Sequence, residues 1–196
     1  MTAKTFPLWL SGVVSLAALL LAFLTGPDAG TQAQLAARWT ARVGFPLFIL
    51  TYSASALVRL WPEAGWKGVL RHRRQWGLAF ALAHTVHLAA LVTFFVVSGQ
   101  QPVMATVVGG GFAYVLLYLM VLTSNDRARR SLGSRWTLLH STGIHVIWFV
   151  YTFSYFGRLF DPGRFAQGAA LLPVCLAALA LRLAAWAKTR RKRASA

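Results

Sequence analysis

The chain has 196 residues, 57% of them apolar and only 12% charged, far from the roughly one-quarter charged residues of soluble domains. Most of such a chain belongs in lipid, which excludes an ordinary soluble enzyme. Twenty Lys and Arg against four acidic residues give a formal charge of +16, which in a soluble protein would point to nucleic acid; here the cations cluster between apolar runs, as in cytoplasmic loops facing an anionic leaflet, and no nucleic-acid partner is expected.

A bilayer-crossing helix needs about 20 mostly apolar residues. Six runs qualify: 8–24, 43–60, 76–97, 103–122, 136–156 and 165–186. The first follows Lys4 and resembles a signal peptide, but it exceeds the usual apolar region, and Thr25-Gly26-Pro27-Asp28 is a poor cleavage site, so it reads as a retained helix. The breaks are Gly26-Pro27-Asp28, Trp61-Pro62-Glu63, Ser98-Gly99-Gln100-Gln101-Pro102, Asn125-Asp126 and Asp161-Pro162-Gly163, all turn chemistry. Gly109-Gly110-Gly111 in the fourth run is expected to permit close helix contact or a local kink. Cys175, the single cysteine, lies in the sixth run and is expected to serve packing.

Orientation follows from the cations. The loop between runs two and three holds Lys67, Arg71, Arg73 and Arg74; that between four and five holds Arg127, Arg129, Arg130 and Arg135; the tail, 187–196, holds Lys188, Arg190, Arg191, Lys192 and Arg193. The alternate loops carry only Arg38 and Arg42, then nothing, then Arg158 and Arg164. The apolar runs and the positive-inside rule together predict an all-α bundle of six transmembrane helices, both termini cytoplasmic, with the tail as a lipid-headgroup anchor; a bacterial inner membrane is the expected location. The whole chain is expected to form one membrane domain, leaving no room for a separate soluble one.

The acidic residues Asp28, Glu63, Asp126 and Asp161 all fall in loops or at span ends. Proton pumps and many coupled transporters place carboxylates at mid-membrane. An intramembrane zinc protease would use His-Glu-x-x-His, and His84-Thr85-Val86-His87 has neither the glutamate nor the spacing. A Ser-His hydrolase would lack its orienting carboxylate, and no Gly-x-Ser-x-Gly turn appears.

Histidine is what the apolar runs do contain. His84 and His87 lie in run three and His140 and His145 in run five, while His72 belongs to a basic loop. A lone histidine on an apolar face is usually a hydrogen-bonded core residue; two in each of two parallel spans, and none in the other four, point to ligation. Two facing imidazoles can hold a porphyrin edge-on, one on each side of the iron. At i and i+3, His84 and His87 share nearly one face, whereas His140 and His145 are roughly 140° apart. A second haem would need further histidines roughly thirteen or fourteen residues along each helix, where Gln100, Gln101, Phe153 and Ser154 stand instead. One haem is expected. Depth leaves the pairing open: His84 and His145 each lie ten residues beyond an arginine, Arg74 and Arg135, whereas Arg129 and Arg130 as interface markers would bring His140 level with His84.

Two stretches resemble a known family. In Arg73-Arg74-Gln75-Trp76-Gly77-Leu78, His87 follows ten residues after the glycine; the more specific stretch is Leu122-Thr123-Ser124 followed by Arg129-Arg130-Ser131-Leu132-Gly133-Ser134-Arg135-Trp136-Thr137-Leu138-Leu139-His140. They are similar to the ferric reductase-like transmembrane domain, which includes the haem-binding membrane subunit of bacterial periplasmic methionine sulfoxide reductase and the membrane parts of NADPH oxidases and metalloreductases. The resemblance covers roughly residues 45–186 in topology. It implies b-type haem between spans three and five, with His87 and His140 on the iron; the depth reading keeps His84 and His145 as alternates. Where the methionine sulfoxide reductase subunit has a further histidine, this chain has Phe153, and His84 and His145 are additional here.

The resulting expectation is an oxidoreductase subunit that relays electrons through one haem b. Without a Gly-rich dinucleotide fingerprint or a flavin domain in the chain, the inner-side donor is membrane quinol or a separate flavoprotein, with quinone or flavin as a possible further cofactor, and the outer-side acceptor is a periplasmic enzyme, a metal ion or oxygen. The basic residues Arg71, Arg73, Arg74, Arg127, Arg129 and Arg130 suit haem propionates or a flavin phosphate and equally suit plain topology signals. The rivals are a haem-free transporter of metal or a small molecule, using the same histidines, and a non-catalytic membrane scaffold.

Overall fold

A computed structural model describes residues 5–194; Lys4 and the last two residues of the basic tail lie outside the described residues. These residues are helical and turn, with no strand among them. In order the helices are α1 (Phe6–Thr25), α2 (Ala29–Leu60), α3 (Ala64–Arg71), α4 (Arg73–Ser98), α5 (Met104–Leu122), α6 (Asp126–Leu132), α7 (Ser134–Arg158) and α8 (Phe165–Ala194). Five of them, α1, α2, α4, α5 and α8, are long and apolar enough to cross a membrane. In lipid a helix satisfies its own backbone groups, which is why apolar runs of this length become helices. The chain therefore reads as a membrane protein. The fifth expected span corresponds to α7, which has the length, 25 residues, but is diluted by Ser134, Arg135, His140, Ser141, Thr142 and His145.

Three boundaries differ from the sequence expectation. The second span was expected from residue 43, yet α2 begins at Ala29, so Arg38 and Arg42 are helical rather than loop residues. Asp28 caps that start: Thr31 donates its backbone N–H to Asp28 Oδ1 at 2.9 Å and its hydroxyl to Oδ2 at 2.7 Å. Polar residues here lower the hydropathy without lowering helix propensity. The loops expected to hold the basic clusters contain α3 and α6, the latter capped by Asn125, whose side chain accepts from Ala128 N–H at 2.7 Å. The expected tail continues α8 to Ala194, since Ala, Lys and Arg are good helix formers.

The described chain divides into two compact units, one comprising Arg71–Met104 and everything before Tyr52, the other Tyr52–Leu70 and everything after Met104. In the first, α1 packs on α4 through small residues. Ser11, Ser15, Ala18 and Ala22 of α1 and Ala79, Ala83 and Ala90 of α4 are buried, and Ser11 donates its hydroxyl to the Ala79 carbonyl at 2.7 Å. Leu16, Leu20 and Phe23, in contrast, are exposed. Large apolar side chains outside and small ones between helices are the arrangement lipid selects, because close backbone approach rather than hydrophobic expulsion drives association there.

In the second unit α7 packs on α8. Trp148 donates its indole N–H to the carbonyl of the buried Cys175 at 2.9 Å. A Cβ at Gly168 would stand 2.8 Å from the Tyr155 carbonyl, so only glycine permits the tight turn of α8 onto α7. The glycines of α5 behave differently from the expectation: a Cβ at Gly109, Gly110 or Gly111 would meet nothing within 4 Å. They make no close contact, and α5 runs through them unbroken.

Candidate functional site

The four histidines expected in the membrane divide two and two between the units. In the first, α4 carries His84 and His87 one turn apart with ring centroids 5.7 Å from each other, the shared face that their spacing predicts. Aromatic packing supports them. Phe48 of α2 lies 5.3 Å from Phe80, and Phe80 4.4 Å from His84. His87 Nδ1 stands 3.3 Å from the hydroxyl of Thr40 on α2, a residue with 0% exposure. The Thr40 hydroxyl lies 2.6 Å from the Ala36 carbonyl, its better acceptor. Threonines in apolar helices return their proton to the carbonyl four residues earlier, as Thr51, Thr85 and Thr93 also do.

In the second unit the residues of the more specific stretch fold into one cluster. Trp136 lies over His140 with centroids 4.0 Å apart and planes 22° apart, donates its indole N–H to the Thr123 carbonyl at 2.9 Å, and has the Arg129 guanidinium 5.5 Å above its own ring. His140 Nε2 stands 3.0 Å from the Thr123 hydroxyl, which also lies 2.7 Å from the Leu119 carbonyl. Thus Thr123, at the end of α5, and Trp136, one turn before His140 on α7, hold the imidazole from two sides.

His145 has different surroundings, as the rotation between the two positions requires. Its Nδ1 lies 2.7 Å from the Ser141 carbonyl. A carbonyl only accepts, so Nδ1 is the donor of this contact. The ring meets Tyr52 edge-on at 5.6 Å. Tyr52 in turn stacks on Trp148 at 6.3 Å and lies 4.5 Å beneath the Arg182 guanidinium. Arg182 donates to the Tyr52 carbonyl at 2.8 Å. His72, expected in a solvated loop, is the N-cap of α4, at its junction with α3.

Sequence reasoning missed Thr40, Tyr52 and Arg182, and quoted Thr123 only as part of a motif. Arg182 carried a signal, a cation within an apolar run. Thr40 carried none, being 47 residues from His87.

Among the described residues no group of three or more His, Cys, Asp or Glu is gathered as a metal site. Haem makes a smaller demand: the porphyrin supplies the equatorial nitrogens, and the protein needs only axial donors, apolar walls and cations for the propionates. Within each unit, imidazoles stand beside aromatic rings, His84 beside Phe80 in one and His140 beside Trp136 and His145 beside Tyr52 in the other. No protein-family model matches the chain, and no solved structure matches it.

Proposed function

We propose that the chain is a haem b-binding electron-transfer protein of the ferric reductase-like kind, with six membrane spans and both termini cytoplasmic in a bacterial inner membrane. Residues His87 and His140 are the axial ligands that the resemblance implies, and His84 and His145 are the alternates. Bound haem would supply a one-electron ferric–ferrous couple. The chain's own residues would support the imidazoles, with aromatic rings against them in each unit and Arg129 beside Trp136 as a cation for a propionate. Electrons would enter from quinol or a flavoprotein on the inner side and leave to a periplasmic acceptor. Within that scheme α3 and α6, both short and rich in basic residues, suit the cytoplasmic headgroup region.

The observation that carries this reading is the confinement of four histidines to α4 and α7, each tied into an aromatic or hydrogen-bonded cluster. The deciding experiment is a reduced-minus-oxidised spectrum of the purified protein, expected to show low-spin b-type haem at about one per chain by pyridine haemochrome. Pigment-free protein from haem-replete cells would leave the transporter and scaffold readings; two haems per chain would overturn the spacing argument. Reporters near Arg71 or Arg129 and after Arg193 should be cytoplasmic, and one near Gln100 exported.

A further inference from the structure

Within the second unit, the C-terminal ends of α2 and α8 gather cations with no carboxylate among them. Two side chains of α8 reach α2 in ascending order: Arg182 donates to the Tyr52 carbonyl at 2.8 Å, and Lys188 donates to the carbonyls of Arg59 at 3.1 Å and Leu60 at 3.4 Å. The two helices therefore run in the same direction here, and Lys188 covers carbonyls that the last turn of α2 leaves without helical partners. The side chain of Arg59 is exposed, and its charge acts on that of the half-buried Arg182. Among the described residues no carboxylate pairs with Arg59, Arg182 or Lys188, and Glu63, just beyond α2, is no exception. Like charges held together at the edge of an apolar region are costly unless an anion joins them.

Exposed apolar side chains adjoin these cations. Trp61, directly after α2, is 48% exposed, and Leu183 and Trp186 of α8 are 57% and 55% exposed. Tryptophans of this kind mark the interfacial depth of a bilayer. Arg182 lies six residues, about 9 Å, before Lys188 along α8 and so on the apolar side of it. A soluble anion would have to leave water to reach Arg182, whereas the phosphate of a lipid already resides near that depth. We propose that Arg59, Arg182 and Lys188 bind the headgroup phosphate of one anionic phospholipid, whose acyl chains lie against the exposed apolar residues of α8. Guanidinium groups suit this ligand because their planar forks donate to two phosphate oxygens at once. Such a site differs from a diffuse attraction of the basic tail for an anionic leaflet: it uses Arg59 and Arg182, it leaves out Arg193 at the far end of α8, and it requires no haem.

The test is native mass spectrometry of the full chain, stripped of lipid in detergent and titrated with phosphatidylglycerol or phosphatidylcholine, with inorganic phosphate as competitor. One phosphatidylglycerol should bind about tenfold more tightly than phosphatidylcholine, the worth of one charge-assisted hydrogen bond. Arg59→Gln, an exposed substitution compatible with folding, should remove most of that preference, and Arg182→Gln should do the same. If Arg182→Gln fails to fold, Arg59→Gln decides alone. Arg193→Gln removes the same charge from the tail and should keep the preference within about twofold, because a distant exposed charge is screened. Equal binding of the two lipids would overturn the site. An equal loss in Arg193→Gln would assign the attraction to the tail as a whole, and displacement of the lipid by millimolar phosphate would assign the cations to a soluble anion; either result also overturns it.

Discussion

Trp136 lies flat over His140, 4.0 Å between centroids, and the same indole ties the start of α7 to the end of α5 through the Thr123 carbonyl at 2.9 Å. One side chain thus carries two separable functions, stacking and tethering. Trp136→Phe keeps an aromatic face on His140 and removes the N–H donor, and it should cost about 1 kcal/mol of stability, as one hydrogen bond does. Trp136→Ala should cost a further ~0.5–1.5 kcal/mol for the lost stacking and, on the proposed haem reading, should broaden the haem spectrum by loosening the His140 ring. Thermal unfolding in one detergent reads the first effect. Equal losses for Phe and Ala would mean that the tether alone matters.

On the proposed haem reading, removing His87 should deplete haem severely, leaving at most a fraction of altered spectrum on its alternate, His84, one turn away. Removing His140 should likewise deplete haem severely, leaving at most a fraction of altered spectrum on its alternate, His145, rotated roughly 140° away on the same helix. The double variant His140→Ala/His145→Ala should then lose that fraction, while His72→Ala, at the α3–α4 junction, should bind haem as the wild type does. Haem content per chain decides among them. Full occupancy in His87→Ala would remove the strongest of the four ligand candidates.

The long apolar helices were legible because a run of about 20 apolar residues has few alternatives in lipid, and every expected break falls between helices or at a helix end, as Ser98 does in α4 and Asp126 in α6. Where the reading went short, hydropathy and helix propensity had parted company: residues 29–42 contain Gln32, Gln34, Arg38 and Arg42, so the hydropathy signal starts at Val43, yet Asp28 followed by Thr31 is a capping pattern that marks the true start of α2. The same separation hid the helical tail of α8. At the histidines, spacing along one helix predicted the His84–His87 contact, and chemistry picked out the residue type. Partners from other helices, Thr40 for His87 and Tyr52 for His145, depend on packing over long sequence separations, and no single-sequence pattern encodes them.

The cap of α2 makes its first turn sensitive to acid. Thr31, through its backbone N–H first and its hydroxyl second, holds the Asp28 carboxyl below its ordinary value of 3.8. A carboxylate depressed in the folded state contributes its stabilisation above the unfolded value and loses it as pH falls through the folded one. Amide-exchange protection of Thr31 and Gln32 should therefore hold steady from neutral pH through the usual carboxylate range and decline only below it. Asp28→Asn keeps an acceptor without a charge and should remove the pH dependence; Asp28→Ala should leave the turn frayed at every pH. An unchanged acid limb in Asp28→Asn would assign the titration to another group.

The place of Arg182 in an apolar helix invites substitution by a plain hydrophobe, and the contacts of its guanidinium predict the outcome. It donates to the Tyr52 carbonyl at 2.8 Å and lies 4.5 Å from the Tyr52 ring centroid, so it joins α8 to α2 both by a charge-assisted hydrogen bond and by a cation–π contact. Each is worth on the order of 1–2 kcal/mol where water is scarce. Arg182→Met should thus destabilise the protein by about 2 kcal/mol despite its better match to lipid. Arg182→Lys keeps the charge and one donor but loses the planar fork that reaches carbonyl and ring together, and should fall about halfway. Tyr52→Phe keeps both the ring and the carbonyl, the two groups that Arg182 touches, and should leave this contact intact. Denaturation of the three variants in one lipid mimetic gives the order. If Arg182→Met proves as stable as the wild type, burial of the cation has cancelled its contacts, and the pairing with Tyr52 contributes nothing net.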